Sequence, residues 1–282
     1  VVGAGEKLMP IFLINLIVGV ILSVASNLLQ QAFAPKPQDR QQQSRTGTRG
    51  LALFGGKVPR YFLVGTVGEA GKREYRNAWG SAGGVPNAYN VDVYSFGDLP
   101  ITALSRLFVN GVLEPISGSG HVTQGYPTTG DKAGKLWIEF FDGSQTTANT
   151  YLTGKFGADA DRPWTSEMIG RGVPYITATA LWSESKWTGF PEILGEFQGI
   201  PLYDPREDDT AGGEGDQRWD DPSTWTFSDN NIVIIYNIER GIYYDGAKVW
   251  GGSSAAAQLP YDVWAAAMDA CDELVALDGG GT

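Results

Sequence analysis

Residues 104–109 (LSRLFV) run into Asn110-Gly111, and that pair constrains the fold more than any other feature of the chain. Asn-Gly tolerates positive φ at both centres of a two-residue turn whose twist matches that of paired strands. It therefore sends Val112-Leu113 back along 104–109 as a hairpin. Residues 135–141 (KLWIEFF), followed by Asp142-Gly143, repeat that logic. Further short β-type runs lie at 58–67, 90–96, 173–182 and 194–200. With 38 Gly and 15 Pro the chain is rich in turns, and its 9 Trp, 12 Tyr and 12 Phe exclude wholesale disorder. Residues 50–200 are expected to be largely β, as small barrels or sandwiches. No repeat of fixed period is present.

The last third has a different texture. Residues 207–221 form an acidic, Gly-rich loop. Its carboxylates (Glu207, Asp208, Asp209, Glu214, Asp216, Asp220, Asp221) lack the order of a calcium-binding loop and read as a solvated one. Ser228 reads as the N-cap of a helix over 229–240, with Gly241 as its stop. The β-branched run 232–236 equally suits a buried strand. Residues 260–277 read as a cleaner helix, with Trp264, Ala267, Met268, Cys271, Leu274 and Val275 at helical spacing. Cys271 is expected on the apolar face as a small buried hydrophobe.

Residues 8–29 (LMPIFLINLIVGVILSVASNLL) carry no charge. A helix of that length is about 33 Å long, near the thickness of a bilayer core. Asn15, Gly19, Ser23 and Asn27 recur every four residues and form one narrow small-and-polar stripe. Small residues permit close helix approach and Asn hydrogen-bonds across such a contact, so the stripe suits self-association. Three readings stay open: a signal peptide with Ala32-Phe33-Ala34 as its cleavage site, a transmembrane anchor, and a helix packed against copies of itself or a partner. A polar, Gln-rich stretch with Lys36, Arg40, Arg45 and Arg49 follows.

The expected class is thus mainly β with α additions (α+β). An apolar helix spans 1–34 and a basic linker 35–49. A first β domain covers 50–120 and a second 121–206. The acidic loop and an α-containing portion fill 207–282.

Composition narrows the chemistry. One Cys excludes an internal disulfide framework and Cys-cluster metal sites, and one His excludes multi-His metal sites within the chain. Residues 1–80 hold 10 basic and 4 acidic side chains, a net +6, whereas 81–282 hold 11 and 28, a net −17. Such a body has no general affinity for nucleic acid. Residues 65–73 (GTVGEAGKR) resemble a phosphate loop only faintly, because the spacing is wrong and Arg73 stands where Ser or Thr would hold Mg²⁺. They read as a turn. Gly3-Ala-Gly5 lacks the preceding strand of a dinucleotide site. His121 lies in a Gly-rich stretch (GSGHVTQGYP) without a nearby acid-base partner. No catalytic, cofactor or metal site is expected.

One extended pattern is more specific. It begins with Arg171-Gly-Val-Pro-Tyr175, a strand and Gly189-Phe-Pro-Glu192, and continues through Gly199-Ile-Pro-Leu-Tyr203 and Asp204-Pro-Arg206. Trp225-Thr-Phe-Ser228, Asp229-Asn-Asn231, an apolar run and Gly241-Ile-Tyr follow, then a helix ending in Asp269-Ala-Cys-Asp272. In this order the pieces resemble the hub region of long-tailed phage tail tip proteins, the J-type host-attachment proteins and the hub proteins of gene transfer agents. The resemblance covers about 170–282, and 45–120 more loosely. Tyr203, Asp204, Pro205, Arg206, Ser228 and Asn231 carry the match. This chain has Asn230-Asn231-Ile232 where the family commonly has Asn-Pro-Ala, and its 207–221 insertion is long. It also stops at Thr282, where family members continue into fibre or receptor-binding modules.

The resemblance implies a virion protein at the distal end of a phage tail. There a hub, part of the tip or baseplate, closes the tail tube as a homotrimeric ring and guides DNA ejection during host attachment. Its implied partners are further copies of itself, the distal tail protein, other tail tip proteins and the tape measure protein. The 8–34 helix would lie in the lumen, with the host membrane as a further destination, and genomic DNA would touch the acidic body only in transit. The alternatives are a membrane-anchored, β-rich envelope or adhesion protein, and a tail-associated cell-wall hydrolase.

Overall fold

The computed structural model describes residues 61–273 together with the strand Leu53–Phe54, all within one compact unit, 47–282. The described strands in chain order are β1 (Leu53–Phe54), β2 (Thr66–Glu69), β3 (Lys72–Ala82), β4 (Val85–Ser95), β5 (Ala103–Val109) and β6 (Val112–Leu113). They continue with β7 (Tyr126–Pro127), β8 (Leu136–Phe141), β9 (Tyr175–Leu181), β10 (Ile193–Gln198), β11 (Ile242–Tyr244) and β12 (Ala247–Trp250). The helices are α1 (Thr150–Phe156), α2 (Asn231–Arg240) and α3 (Tyr261–Asp272). The expected class, mainly β with α additions, is the one found. Among the described residues no barrel closes and no helix is long and apolar enough to cross a membrane.

Strands β1-β3-β4-β9-β8-β7 form one sheet and β2-β10-β5-β6 a second. Ile138, Ile176 and Ala178 of the first sheet share a core with Leu107, Val109 and Phe197 of the second. Phe96 and Phe197 meet at its centre, their ring centroids 4.4 Å apart. The other face of the large sheet is covered by α1, whose Tyr151, Leu152 and Phe156 pack on Val91, Val93 and Tyr175. Strand β9 (YITATAL) is therefore buried on both sides. Its alternating Thr177 and Thr179 do not face water: they are fully buried, and their hydroxyls meet Asn149 Nδ2 (3.5 Å) and the Tyr151 hydroxyl (3.1 Å).

The Asn110-Gly111 turn forms as expected. Both residues take positive φ (53° and 77°), and Val109 stands opposite Val112. Asp142-Gly143 does not make a hairpin. The Asp142 carboxylate accepts from the Ser144 amide and hydroxyl, and the Asp142 and Gly143 carbonyls accept from the Ile101 and Gly172 amides. With those carbonyls already engaged, the chain turns into α1, whose first turn Asn149 caps through Leu152 N–H (3.1 Å).

The expected boundary at 120 does not separate the sheets. Strands β8 and β9 join β3 and β4, and β10 lies between β2 and β5, because each sheet needs partners from both segments to complete its ladder. Only residues 66 and 67 of the expected 58–67 strand lie in a strand, β2, which runs on to Glu69, and 58–60 lie outside the described residues. The phosphate-loop look-alike is a strand-turn-strand from β2 into β3. The run 232–236 is helix, not strand. The apolar segment 8–29, with Asn15, Gly19, Ser23 and Asn27, lies outside the described residues.

Gly71, at the β2–β3 turn, has φ +68°, and a Cβ there would fall 2.4 Å from the Ser95 carbonyl and 2.7 Å from the Phe96 ring. Gly68, three residues earlier on β2, has open space at that position. Gly71→Ala is expected to destabilise the fold by at least about 2 kcal/mol in urea unfolding, through strained backbone and clash together. Gly68→Ala is expected to be neutral or to stabilise by up to about 1 kcal/mol. Equal losses at the two positions would contradict this account of the turn.

Candidate functional site

The segment that leaves β10 is threaded into the fold by its own backbone. The Gly199 and Ile200 amides donate to the Gly65 and Leu63 carbonyls, and Leu202 N–H to the Thr226 carbonyl. This delivers Tyr203, Asp204, Pro205 and Arg206 to the junction of α2 and α3.

Each of the four has a distinct task. The Tyr203 backbone is paired with the Asn237 side chain as with a neighbouring strand: its N–H donates to Oδ1 (3.1 Å) and its carbonyl accepts from Nδ2 (2.7 Å). The ring stands edge-on to Trp219, centroids 5.5 Å apart, and the hydroxyl donates to Asp208 (2.7 Å). Burial, then the Asp208 carboxylate, pushes the Tyr203 hydroxyl above its ordinary pKa, so it stays protonated and donates to that carboxylate. Asp204 accepts from the Arg206 amide (2.9 Å) and so caps the 3₁₀ turn Pro205–Glu207, in which Pro205 fills the first position.

Arg206 gathers three carboxylates. Nε and Nη2 hold Asp204, while Nη1 reaches Asp269 and Asp272, both at 2.8 Å. The last two lie in the final turn of α3, where the helix dipole disfavours negative charge, and the guanidinium offsets that. Asp272 also accepts from Asn230 Nδ2 (2.7 Å), which in turn donates to the Met268 carbonyl (2.8 Å). Asn230 Oδ1 accepts from the Ile232 and Val233 amides, so one side chain caps α2 and ties it to α3.

Asn230, not Ser228, is therefore the N-cap, and the helix starts at Asn231. The Ser228 hydroxyl accepts from Asn230 N–H (3.3 Å) and so steadies the cap from outside. Asn231 is exposed and stands apart from the network. The residues missed from sequence are Asn230, Asn237 and Asp208. Two adjacent asparagines offer the same chemistry, and only the packing against α3 selects between them.

The acidic loop is ordered, not merely solvated. Asp208 is buried and accepts from the Thr210 amide and hydroxyl as well as Tyr203, and Arg218 binds Asp208 (3.1 Å) and Asp209 (2.7 Å). Burial works to raise the Asp208 pKa, but the Thr210, Tyr203 and Arg218 donors outweigh it and hold the carboxyl below its usual range. Among the described residues no group of three or more His, Cys, Asp or Glu is placed to hold a metal ion. Cys271 is exposed rather than buried, because the buried stripe of α3 centres on Ala265 and Met268 and runs out before the last turn. His121 does have a carboxylate neighbour, Glu139, 3.5 Å from Nε2, on an open surface beside Tyr126. The arrangement around Arg206 is a joint. Its guanidinium is occupied by the protein's own carboxylates.

The chain matches no known family profile and no curated protein. Among solved structures it is similar to a chain from the virion of a native gene transfer agent (GTA) particle, at 15% identity and a TM-score of 0.35. The similarity covers 63% of this chain and 38% of that one, so this chain spans well under half the length of its neighbour.

Two outcomes are expected. Asn230→Ala should cost about 2–3 kcal/mol, a lost cap plus a lost interhelix bond, whereas Asn231→Ala should stay within about 0.5 kcal/mol. Equal effects in chemical denaturation would refute the assignment of the cap. The second concerns acid. The Asp272 carboxyl, held below its usual range by Arg206 and Asn230 against burial, and that of Asp208 both have folded pKa values under their unfolded ones. Their stabilisation is complete above the unfolded carboxylate pKa of about 4 and is lost as pH falls through the folded values. Asp208→Asn should flatten the decline of stability below that pH, and an unchanged slope would remove Asp208 from the account.

Proposed function

We propose that this chain is a structural component of a phage-like virion and, within it, the hub of a tail tip. The observation that carries the reading is the convergence on Arg206. Asp204 and Arg206, Asn230 and Asp272 belong to the stretches whose order resembles tail tip hubs, and they meet in one hydrogen-bonded joint between the 3₁₀ turn, α2 and α3.

In this reading the β-rich body forms a trimeric ring that closes the distal tail tube. It contacts the distal tail protein and other tip proteins, and its function rests on subunit interfaces rather than on catalysis. The net −17 of residues 81–282 suits a conduit that does not bind passing DNA. Residues 8–34 would lie in the lumen against the tape measure protein, and on ejection their apolar face would enter the host membrane.

The test is the shape and mass of the full chain, alone and with its distal tail protein, by mass photometry and electron microscopy. A threefold ring with a central channel is the expected result. A chain that remains monomeric with that partner and partitions into liposomes would overturn the proposal in favour of a membrane-anchored, β-rich binding protein.

A further inference from the structure

Beside the Arg206 joint lies a cavity of about 420 Å³, within the range of small-molecule sites. Its floor is apolar, formed by Leu99, Ile200, Leu202 and Ile242. Its aromatic lining comes from Trp219, Trp225, Tyr243 and Tyr244, and its charged side chains are two exposed carboxylates, Asp220 and Asp245. The aromatic cluster is held in place. Trp225 Nε1 donates to the Arg218 carbonyl (2.8 Å), and Trp219 packs against Trp225 (5.3 Å) and edge-on to Tyr243 (6.2 Å). Asp245 is set at the rim by the β11–β12 turn, where it takes φ +50° before Gly246.

We propose that this cavity binds a small organic cation with a methylated ammonium head. Three features select that class. Aromatic faces attract a cation through their quadrupole, and this cluster already holds one: the Arg240 guanidinium sits 3.8 Å from the centroid of Trp219. Arg240 is not among the lining residues, and both charged side chains that do line the cavity, Asp220 and Asp245, are negative, so a positive occupant complements the lining. Methyl groups on nitrogen are apolar, so such a head suits a floor of Leu and Ile that offers no hydrogen bonds. A sugar could also stack on the aromatic faces and donate its hydroxyls to Asp220 and Asp245, but it brings those carboxylates no counter-charge. The inference does not depend on the hub reading, since the cavity is formed within one chain.

The test is titration of the full chain with choline and with its uncharged isostere 3,3-dimethyl-1-butanol, followed by calorimetry and tryptophan fluorescence. Choline is expected to bind about tenfold more tightly or better, the difference being the charge. Asp220→Asn with Asp245→Asn should reduce that difference severalfold, leaving the share due to the aromatic faces, with the circular dichroism unchanged. Asparagine also tolerates the backbone conformation at 245. Tyr244→Leu is a second variant, expected to weaken choline alone. Equal affinity for the two compounds, no binding of choline, or binding of glucose in its place would each overturn the proposal.

Discussion

Strand β9 has no solvent face, and the rest of the molecule is arranged around that constraint. A strand buried on both sides leaves each of its polar groups in need of a partner, which Thr177 and Thr179 find and the Tyr175 hydroxyl, among the described residues, does not. Ile176, Ala178 and Ala180 go to the sandwich core. Thr177 and Thr179 go to the opposite side, where α1 supplies Asn149 and Tyr151. The short helix is thus more than a lid. It brings the apolar cover and the hydrogen-bonding groups that make a Thr-bearing face tolerable in the interior, where an unmet hydroxyl costs about 1–3 kcal/mol. Trp79 extends the same network by donating its indole N–H to the Tyr151 hydroxyl (2.8 Å).

The second organising centre solves a different problem. Helix α3 ends on two aspartates at the end where the helix dipole is negative, and α2 begins beside it with bare amides. Arg206 and Asn230 answer both needs through a shared carboxylate, Asp272. The exposed Arg206 pairs alone would contribute little, because water screens them. Their value is geometric: they fix the angle at which the 3₁₀ turn, α2 and α3 meet. The aromatic cavity borrows its walls from the same region, since Trp219 packs on Tyr203 as well as on Trp225.

Legibility in the sequence followed the range of the physics. The Asn110-Gly111 hairpin was readable because its cause is local: two residues that accept positive φ. Asp142-Gly143 carries a similar signal and yields no hairpin, because its carbonyls are claimed by Ile101 and Gly172, 41 and 29 residues away. Strand β3 (KREYRNAWGSA) went unseen. Its charged residues mask the alternation of Tyr75, Asn77 and Trp79, and Arg76 is accommodated by its pairing with Asp92 (2.6 Å) on β4 and by the Phe190 ring beneath its guanidinium (3.7 Å). At the candidate site the Tyr203–Arg206 stretch was legible as a pattern. Which asparagine caps α2 was not, because Asn230 and Asn231 differ only in which one faces α3.

The sequence by itself determined the β-rich class, the Asn-Gly turn, the Gly241 stop of α2 and the divided charge of the chain. Each depends on a residue's own conformational freedom or on simple charge. Tertiary structure alone decided that the sheets interleave across residue 120, that β9 is covered on both faces, that the acidic loop closes on Asp208, and that Arg206 holds three carboxylates. Those outcomes depend on groups far apart in the chain competing for the same donors and acceptors, and proximity in space settles that competition.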